Sequence, residues 1–295
     1  MNNASGNHAD MPSLSDQTII VTGGNSGIGF ESARVFARAG ARVVLACRNM
    51  AKAQHAADLI CTETPQARLE LMHLDLASLD SVHAFATEAI KRLPSIDVLC
   101  NNAGVMAVPF SKTKDGFELQ LGTNHLGHFA LTGLLFDKIA ASAPSRIVTV
   151  SSLAHTTGQI RFQDLHSANG YARWAAYSQS KVANLLFAYE LDRRLRARKL
   201  DVKSVACHPG ISSSNLYKGG AFWLRTALLI AQSSKRGALP EIYAAVDPRV
   251  QGGDYIGPSG IMEARGLPAK VQSSALSHDP EIAKWLWSAS EELTG

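Results

Sequence analysis

The stretch from Gln17 to Gly40 constrains this chain more than any other. Gln17-Thr18-Ile19-Ile20-Val21-Thr22 is β-branched and apolar, the pattern of a short buried strand. It runs into Gly23-Gly24-Asn25-Ser26-Gly27-Ile28-Gly29 and then into a helical pattern that a glycine stops at Gly40. A strand, a glycine-rich turn and a helix N-terminus together make an anion site. Without Cβ atoms, backbone N–H groups can approach a pyrophosphate, and the helix dipole favours its charge. The spacing is Gly-x-x-x-Gly-x-Gly, so the G-x-G-x-x-G dinucleotide fingerprint does not apply.

The same alternation continues along the chain. Strands are expected near 17–22, 42–47, 68–74, 96–101, 145–151 and 202–208, with a short seventh near 254–257. Amphipathic helices fill most of the gaps, which predicts an α/β fold: a doubly wound parallel sheet of about seven strands with helices on both faces. Ligands of such sheets bind at the carboxyl ends of the strands. Thr22, Cys47, Asp75, Asn101, Ser152 and His208 all fall at or just beyond strand ends, so one rim is expected to hold the chemistry. Residues 1–13 read as a flexible tail and 14–295 as one domain, with 270–295 having no evident place in the sheet.

Composition narrows the function. At 295 residues and 46% hydrophobic content, the chain suits one large globular domain. A net charge of +4 is too small to argue for nucleic acid. The densest basic run, Arg193 to Lys199, falls at a helix C-terminus, where cations suit the dipole. The four cysteines, 47, 61, 100 and 207, lack metal-like spacing, and three of them end apolar strands as reduced core residues would. His125, His128, His155, His166 and His208 show no carboxylate pattern that would make a metal set. Met1 to Ser13 has no apolar signal core, and Ala221 to Ala231 is too short and too charged to span a bilayer. A cytoplasmic protein without a transmembrane anchor is expected.

Tyr177-Ser178-Gln179-Ser180-Lys181 opens the helical pattern from Arg173 to Arg198. Residues four apart on a helix share a face, so the phenol and the ammonium can address one point. A phenol ionises at about pH 10, and a fixed cation nearby lowers that value toward one suited to moving protons on and off a substrate oxygen. Such a pair also occurs by chance in many helices, and the rest of the chain has to give it meaning.

Taken together, these motifs resemble the short-chain dehydrogenase/reductase family. Thr22-Gly23-x3-Gly27-x-Gly29 is similar to that family's cofactor turn, and Tyr177-x3-Lys181 to its catalytic pair. Between them, in the family's order, lie Asn101-Asn102-Ala103-Gly104, Asn124 within Asn124-His125-Leu126-Gly127, and Ser151-Ser152; His208-Pro209-Gly210 follows. The resemblance covers roughly 14 to 260 and implies a Rossmann fold. Val44 to Asn49, Val150 to His155 and the 25 positions between Ser152 and Tyr177 look like the branch that contains retinol dehydrogenases and protochlorophyllide reductases.

The resemblance implies roles. Gly23, Asn25, Ser26, Gly27, Ile28 and Gly29 would hold the dinucleotide phosphates. Asp75 and Leu76 would contact the adenine; Asn102, Ala103 and Gly104 would line the adenosine side; Pro209, Gly210 and Ser214 would meet the nicotinamide end. Tyr177 would act as acid/base, with Lys181 lowering its pKa and holding the ribose. Ser152, rather than its neighbour Ser151, would face the developing oxyanion. Asn124 would hold a water that links Lys181 to solvent. Cofactor choice can be read from the residues themselves. Where a carboxylate would bind a ribose 2′-OH, this chain has Cys47 and Arg48, followed by Asn49, and a guanidinium there suits a 2′-phosphate. NADP(H) is therefore expected over NAD(H).

The segment 211–240 would cover the substrate, with Leu216, Tyr217, Phe222, Trp223 and Leu224 as an apolar wall, a core helix or a subunit contact. Val105, Met106 and Leu153 to His155 would form the opposite wall. The expected function is an NADP(H)-dependent oxidoreductase of a lipophilic carbonyl or alcohol, in a homodimer or homotetramer. Two alternatives stand beside it: a non-catalytic dinucleotide-binding sensor or scaffold, and a C=C reductase of the protochlorophyllide type.

Overall fold

The structure, a computed structural model, describes residues 11–213 and 232–295. Strands β1 (Thr18–Thr22), β2 (Arg42–Cys47), β3 (Arg68–His73), β4 (Val98–Asn101), β5 (Ser145–Val150), β6 (Val202–Cys207), β7 (Tyr255–Pro258) and β8 (Pro268–Lys270) form one sheet in the order 8-7-6-5-4-1-2-3. β1 to β7 run parallel, and β8 closes the edge antiparallel to β7. The expectation of about seven strands therefore gains an eighth. Only three residues long and begun by Pro268, β8 has no periodicity to betray it, and its proline is tolerated because an edge strand need not donate on both sides.

Alternation along the strands decides how the sheet is covered. Ile19 and Val21 of β1, with Val43, Leu45, Val98, Cys100 and Val148, point into one core beneath α1 (Gly27–Arg38). Ile20, Val44, Leu99 and Ile147 point into the other. That second core holds the buried faces of α3 (Leu79–Arg92) and α4 (Gly127–Ala141), including Phe85, Leu131 and Leu135. Because successive side chains leave a strand on opposite faces, a strand buried on both sides must be apolar throughout, as β1 is. Phe36, fully buried on α1, stabilises its side by roughly 1.5–3 kcal/mol.

Helix α5 (Arg173–Ala197) lies over the sheet and carries Tyr177 in its second turn and Lys181 in its third. α6 (Leu239–Val246) leads toward β7. The C-terminal residues that lacked a place in the sheet form α7 (Pro280–Thr294), begun by Pro280 with the Asp279 carboxylate accepting from the Glu281 and Ile282 N–H groups. α7 packs Ala283 and Leu286 against Val182 and Leu186 of α5. It also stacks Trp287 on Phe187, beneath the Arg194 guanidinium 4.1 Å from the indole. Arg194 also pairs with Glu190, so the basic run is anchored at its start. Among the described residues no helix is long and apolar enough to cross a membrane.

β1 and β4 are neighbours at the point where strand order reverses, with connections departing to opposite faces. A crevice opens there beyond the carboxyl ends of the strands.

Candidate active site

A cleft of about 420 Å³ occupies this crevice. Its floor is the turn after β1. Gly23 and Gly27 adopt φ of +69° and +57°, backbone that L side chains rarely take. A Cβ on Gly29 would collide with the Asn102 amide nitrogen, so the turn and the strand end of β4 close on each other only because that residue is glycine. α1 starts at Ser26, whose hydroxyl does not cap it. Its first-turn N–H groups and the positive end of its dipole face the cleft with Asn25, Ser26, Gly27, Ile28 and Gly29 in the lining, a fit for a pyrophosphate.

Thr22, fully buried, ties this floor together. Its Oγ1 accepts from the backbone N–H of Asn102 at 2.9 Å and of Ala103 at 3.0 Å, and its carbonyl accepts from the Asn102 amide at 2.7 Å. Asn102, Ala103 and Gly104 line the cleft beside Asp75 and Leu76. Asp75 accepts from the Ala77 N–H at 3.1 Å, which fixes the turn after β3.

At the end of β2, burial pushes the Cys47 thiol up to about 11, against N–H groups of Asn25 and Gly24 that favour its thiolate; it stays neutral. Arg48 is exposed on the cleft wall and forms no ion pair among the described residues. Asn49 lies outside the lining, its side chain capping α2 (Met50–Glu63) by accepting from the Lys52 N–H at 2.9 Å.

The opposite wall carries Tyr177 and Lys181, both buried. The Lys181 ammonium donates to the Val150 carbonyl at 3.1 Å and sits 5.7 Å from the centre of the Tyr177 ring. Burial lowers Lys181 to about 8, which leaves it a cation at neutral pH. Asn124 sits in a π-helical turn, Gly122–Leu126, that precedes α4. Its side chain bonds both polar backbone atoms of Val105 and donates to the Ser180 hydroxyl at 2.9 Å, next to Lys181.

The two serines after β5 part company. Ser151 is buried and donates to the Lys181 carbonyl at 2.8 Å, so it holds α5 to the sheet. Ser152 is half-buried, and among the described residues its hydroxyl accepts only a 3.2 Å bond from the Ala154 N–H, leaving its proton for another partner. Of the two, Ser151 borders the 420 Å³ cleft and Ser152 lies past its edge. His155, expected in the substrate wall, is instead buried: its Nδ1 is 2.7 Å from the Ser152 carbonyl and its Nε2 accepts from the Ser274 N–H at 3.2 Å. Pro209 lines the cleft, whereas Gly210 turns away at φ +66° against the Ala264 carbonyl. Ser214, Leu216, Tyr217, Phe222, Trp223 and Leu224 lie outside the described residues.

Sequence reading passed over Thr22 as a hub, Ser180, and above all His128. The His128 ring is buried, with Nδ1 3.0 Å from the Asn124 carbonyl and Nε2 2.9 Å from the Thr22 hydroxyl. Burial lowers its pKa to about 4, and the Lys181 charge adds to that, so the ring is neutral. The helical spacing of Asn124 and His128 was the available signal; the partner on β1 was not visible.

Residues 17–219 match the short chain dehydrogenase family. Human retinol dehydrogenase 13 is 42% identical over 95% of this chain and 85% of its own length. A crystal structure of an uncharacterised protein from Mycobacterium paratuberculosis is 42% identical, covers 97% of this chain and 96% of its own, and superposes with a TM-score of 0.82. A Beutenbergia cavernae protein solved with bound NADP is 26% identical over 82% of this chain and 95% of its own, with a TM-score of 0.66. This chain belongs to the short chain dehydrogenase family, in its retinol dehydrogenase-like branch.

Proposed function

We propose that the protein is an NADP(H)-dependent oxidoreductase of lipophilic aldehydes, ketones or alcohols, with Tyr177 as general acid/base. The observation that carries this reading is the buried Tyr177–Lys181 pair on the wall of a cleft whose floor suits a pyrophosphate. A bound nicotinamide supplies or accepts the hydride. In the direction of reduction, the Tyr177 hydroxyl gives its proton to the substrate oxygen as charge develops there. The Lys181 ammonium stabilises the phenolate that remains, and Ser152, whose hydroxyl proton is free of the bond it accepts, donates to the same oxygen. Asn124 fixes Val105 and Ser180 on either side of this arrangement. We take it to serve as scaffold for a water beside Lys181.

Preference for NADP(H) rests on Arg48, a guanidinium with no ion pair among the described residues, at the end of β2 beside a neutral thiol where a carboxylate would oppose a phosphate. The name of the human relative, retinol dehydrogenase 13, supports a long apolar alcohol or aldehyde as the substrate class. An assay following NADPH absorbance with retinaldehyde and a panel of shorter aldehydes and ketones tests both points. Turnover that rises with apolar chain length, and is faster with NADPH than with NADH, is expected. Cofactor binding with no turnover of any carbonyl or alcohol would leave a dinucleotide-binding protein without this chemistry.

A further inference from the structure

We propose that His128 is a positioning residue that locks the cofactor-side turn at Thr22 to the Asn124–Lys181 cluster, an inference that rests on the reaction proposed above. A buried imidazole is costly unless both nitrogens are bonded, and here both are, each to a buried residue whose chain neighbour, Gly23 or Thr123, lines the cleft. The Asn124 carbonyl can only accept, so Nδ1 carries the proton. In a neutral ring Nε2 is then an acceptor, and the Thr22 hydroxyl donates to it in preference to the Cys100 carbonyl 3.1 Å away. Thr22 in turn receives the backbone N–H groups of Asn102 and Ala103, which line the cofactor cleft. Asn124 grips both backbone polar atoms of Val105 and the hydroxyl beside Lys181.

One ring, at the start of α4, therefore ties Thr22 on β1, 106 positions away, to the π-helical turn that carries Asn124. His125, one turn earlier, makes the contrast. Its Nε2 bonds Ser290 of α7, outside the cleft lining, and ties the C-terminal helix in place. Replacing His128 by leucine would fill the space and cut both bonds. The two halves of the site would then be free to shift separately, and displacements near 1 Å are enough to cost about a hundredfold in rate.

The test uses the full-length protein, NADPH and the aldehyde assay above. His128→Leu should lower kcat by about 10- to 100-fold and also weaken NADPH binding. His128→Asn keeps an amide where Nδ1 sits and should lose more in NADPH affinity than in kcat. His128→Gln keeps one where Nε2 sits and should show the opposite split. Leucine values within about twofold of wild type for both kcat and Kd would overturn the proposal, as would equal losses in Asn and Gln variants that track Tm. The wild-type protein provides an arm independent of any variant's folding. Nitrogen chemical shifts of 15N-labelled histidine at pH 7 should show His128 as the neutral Nδ1–H tautomer, and an Nε2–H or charged ring would refute it. A wild type that reduces no carbonyl would sink the reaction reading, while the tautomer and the NADPH titrations would still decide the lock.

Discussion

Asn124 brackets Val105: its Oδ1 accepts from the Val105 N–H at 2.8 Å and its Nδ2 donates to the Val105 carbonyl at 2.9 Å. Both polar atoms of one backbone residue on the cleft wall are thus satisfied by one buried side chain from a π-helical turn. π-turns of this kind concentrate at functional sites because the extra residue breaks the regular ladder and frees side chains to reach elsewhere.

That bracket makes Asn124 sensitive to small changes. Asn124→Asp keeps the acceptor but replaces the amide donor, facing a carboxylate oxygen to the Val105 carbonyl in a buried setting. Loss of about 2–4 kcal/mol in stability is expected, since a buried carbonyl and a carboxylate are left opposed. Asn124→Ala should cost less in stability and more in kcat than in KM. Thermal unfolding and steady-state kinetics on the two variants check this; wild-type kinetics in a folded Asn124→Ala protein would contradict it.

Arg48 is expected to read the 2′-phosphate. Arg48→Ala should weaken NADPH binding by about 1.5–3 kcal/mol, the loss of one charge-assisted contact, and leave NADH nearly unchanged. Fluorescence titration of both cofactors against both proteins measures it. Equal losses would show that Arg48 supports the loop without reading the phosphate.

A pH effect on stability should come from Glu241, which is outside the cleft lining. Burial raises its carboxyl to about 7, opposed only by the Ser32 hydroxyl that donates to Oε2, while Oε1 has no partner among the described residues. The unfolded chain titrates this group near the ordinary value of 4.5. Between those values the folded protein keeps a proton that the unfolded chain has released, so stability falls as pH rises through about 4.5 to 7 and stays low above. Glu241→Gln should remove this slope. Its stability, followed as Tm, should match wild type near pH 4.5 and exceed it at pH 8, by a margin on the order of 1–3 kcal/mol. Parallel Tm curves for the two proteins across that range would show that Glu241 does not titrate in it.

How far the site could be read from sequence depends on the range of the contacts that make it. The turn from Thr22 to Gly29 was legible because strand period, glycine spacing and helix pattern are all local. β8 escaped, since three residues begun by Pro268 carry no period, and α7 was invisible as a sheet neighbour because it packs on α5 instead. Asn124 could be named only by resemblance, because nothing in helical periodicity marks a π-turn. His128 and His155 read as ordinary histidines, yet their partners lie 106 and 119 positions away, across the whole fold. Buried polar networks are long-range by nature, and no single-chain pattern encodes the partner.

The most direct measurement is single-turnover reduction of retinaldehyde by Tyr177→Phe in the presence of saturating NADPH, beside an NADPH titration of the same variant. Phenylalanine keeps the ring against Trp174 and removes only the hydroxyl. The account predicts a rate lower by about 10²–10⁴-fold with NADPH affinity nearly unchanged. A folded Tyr177→Phe protein that turns over at the wild-type rate would contradict it.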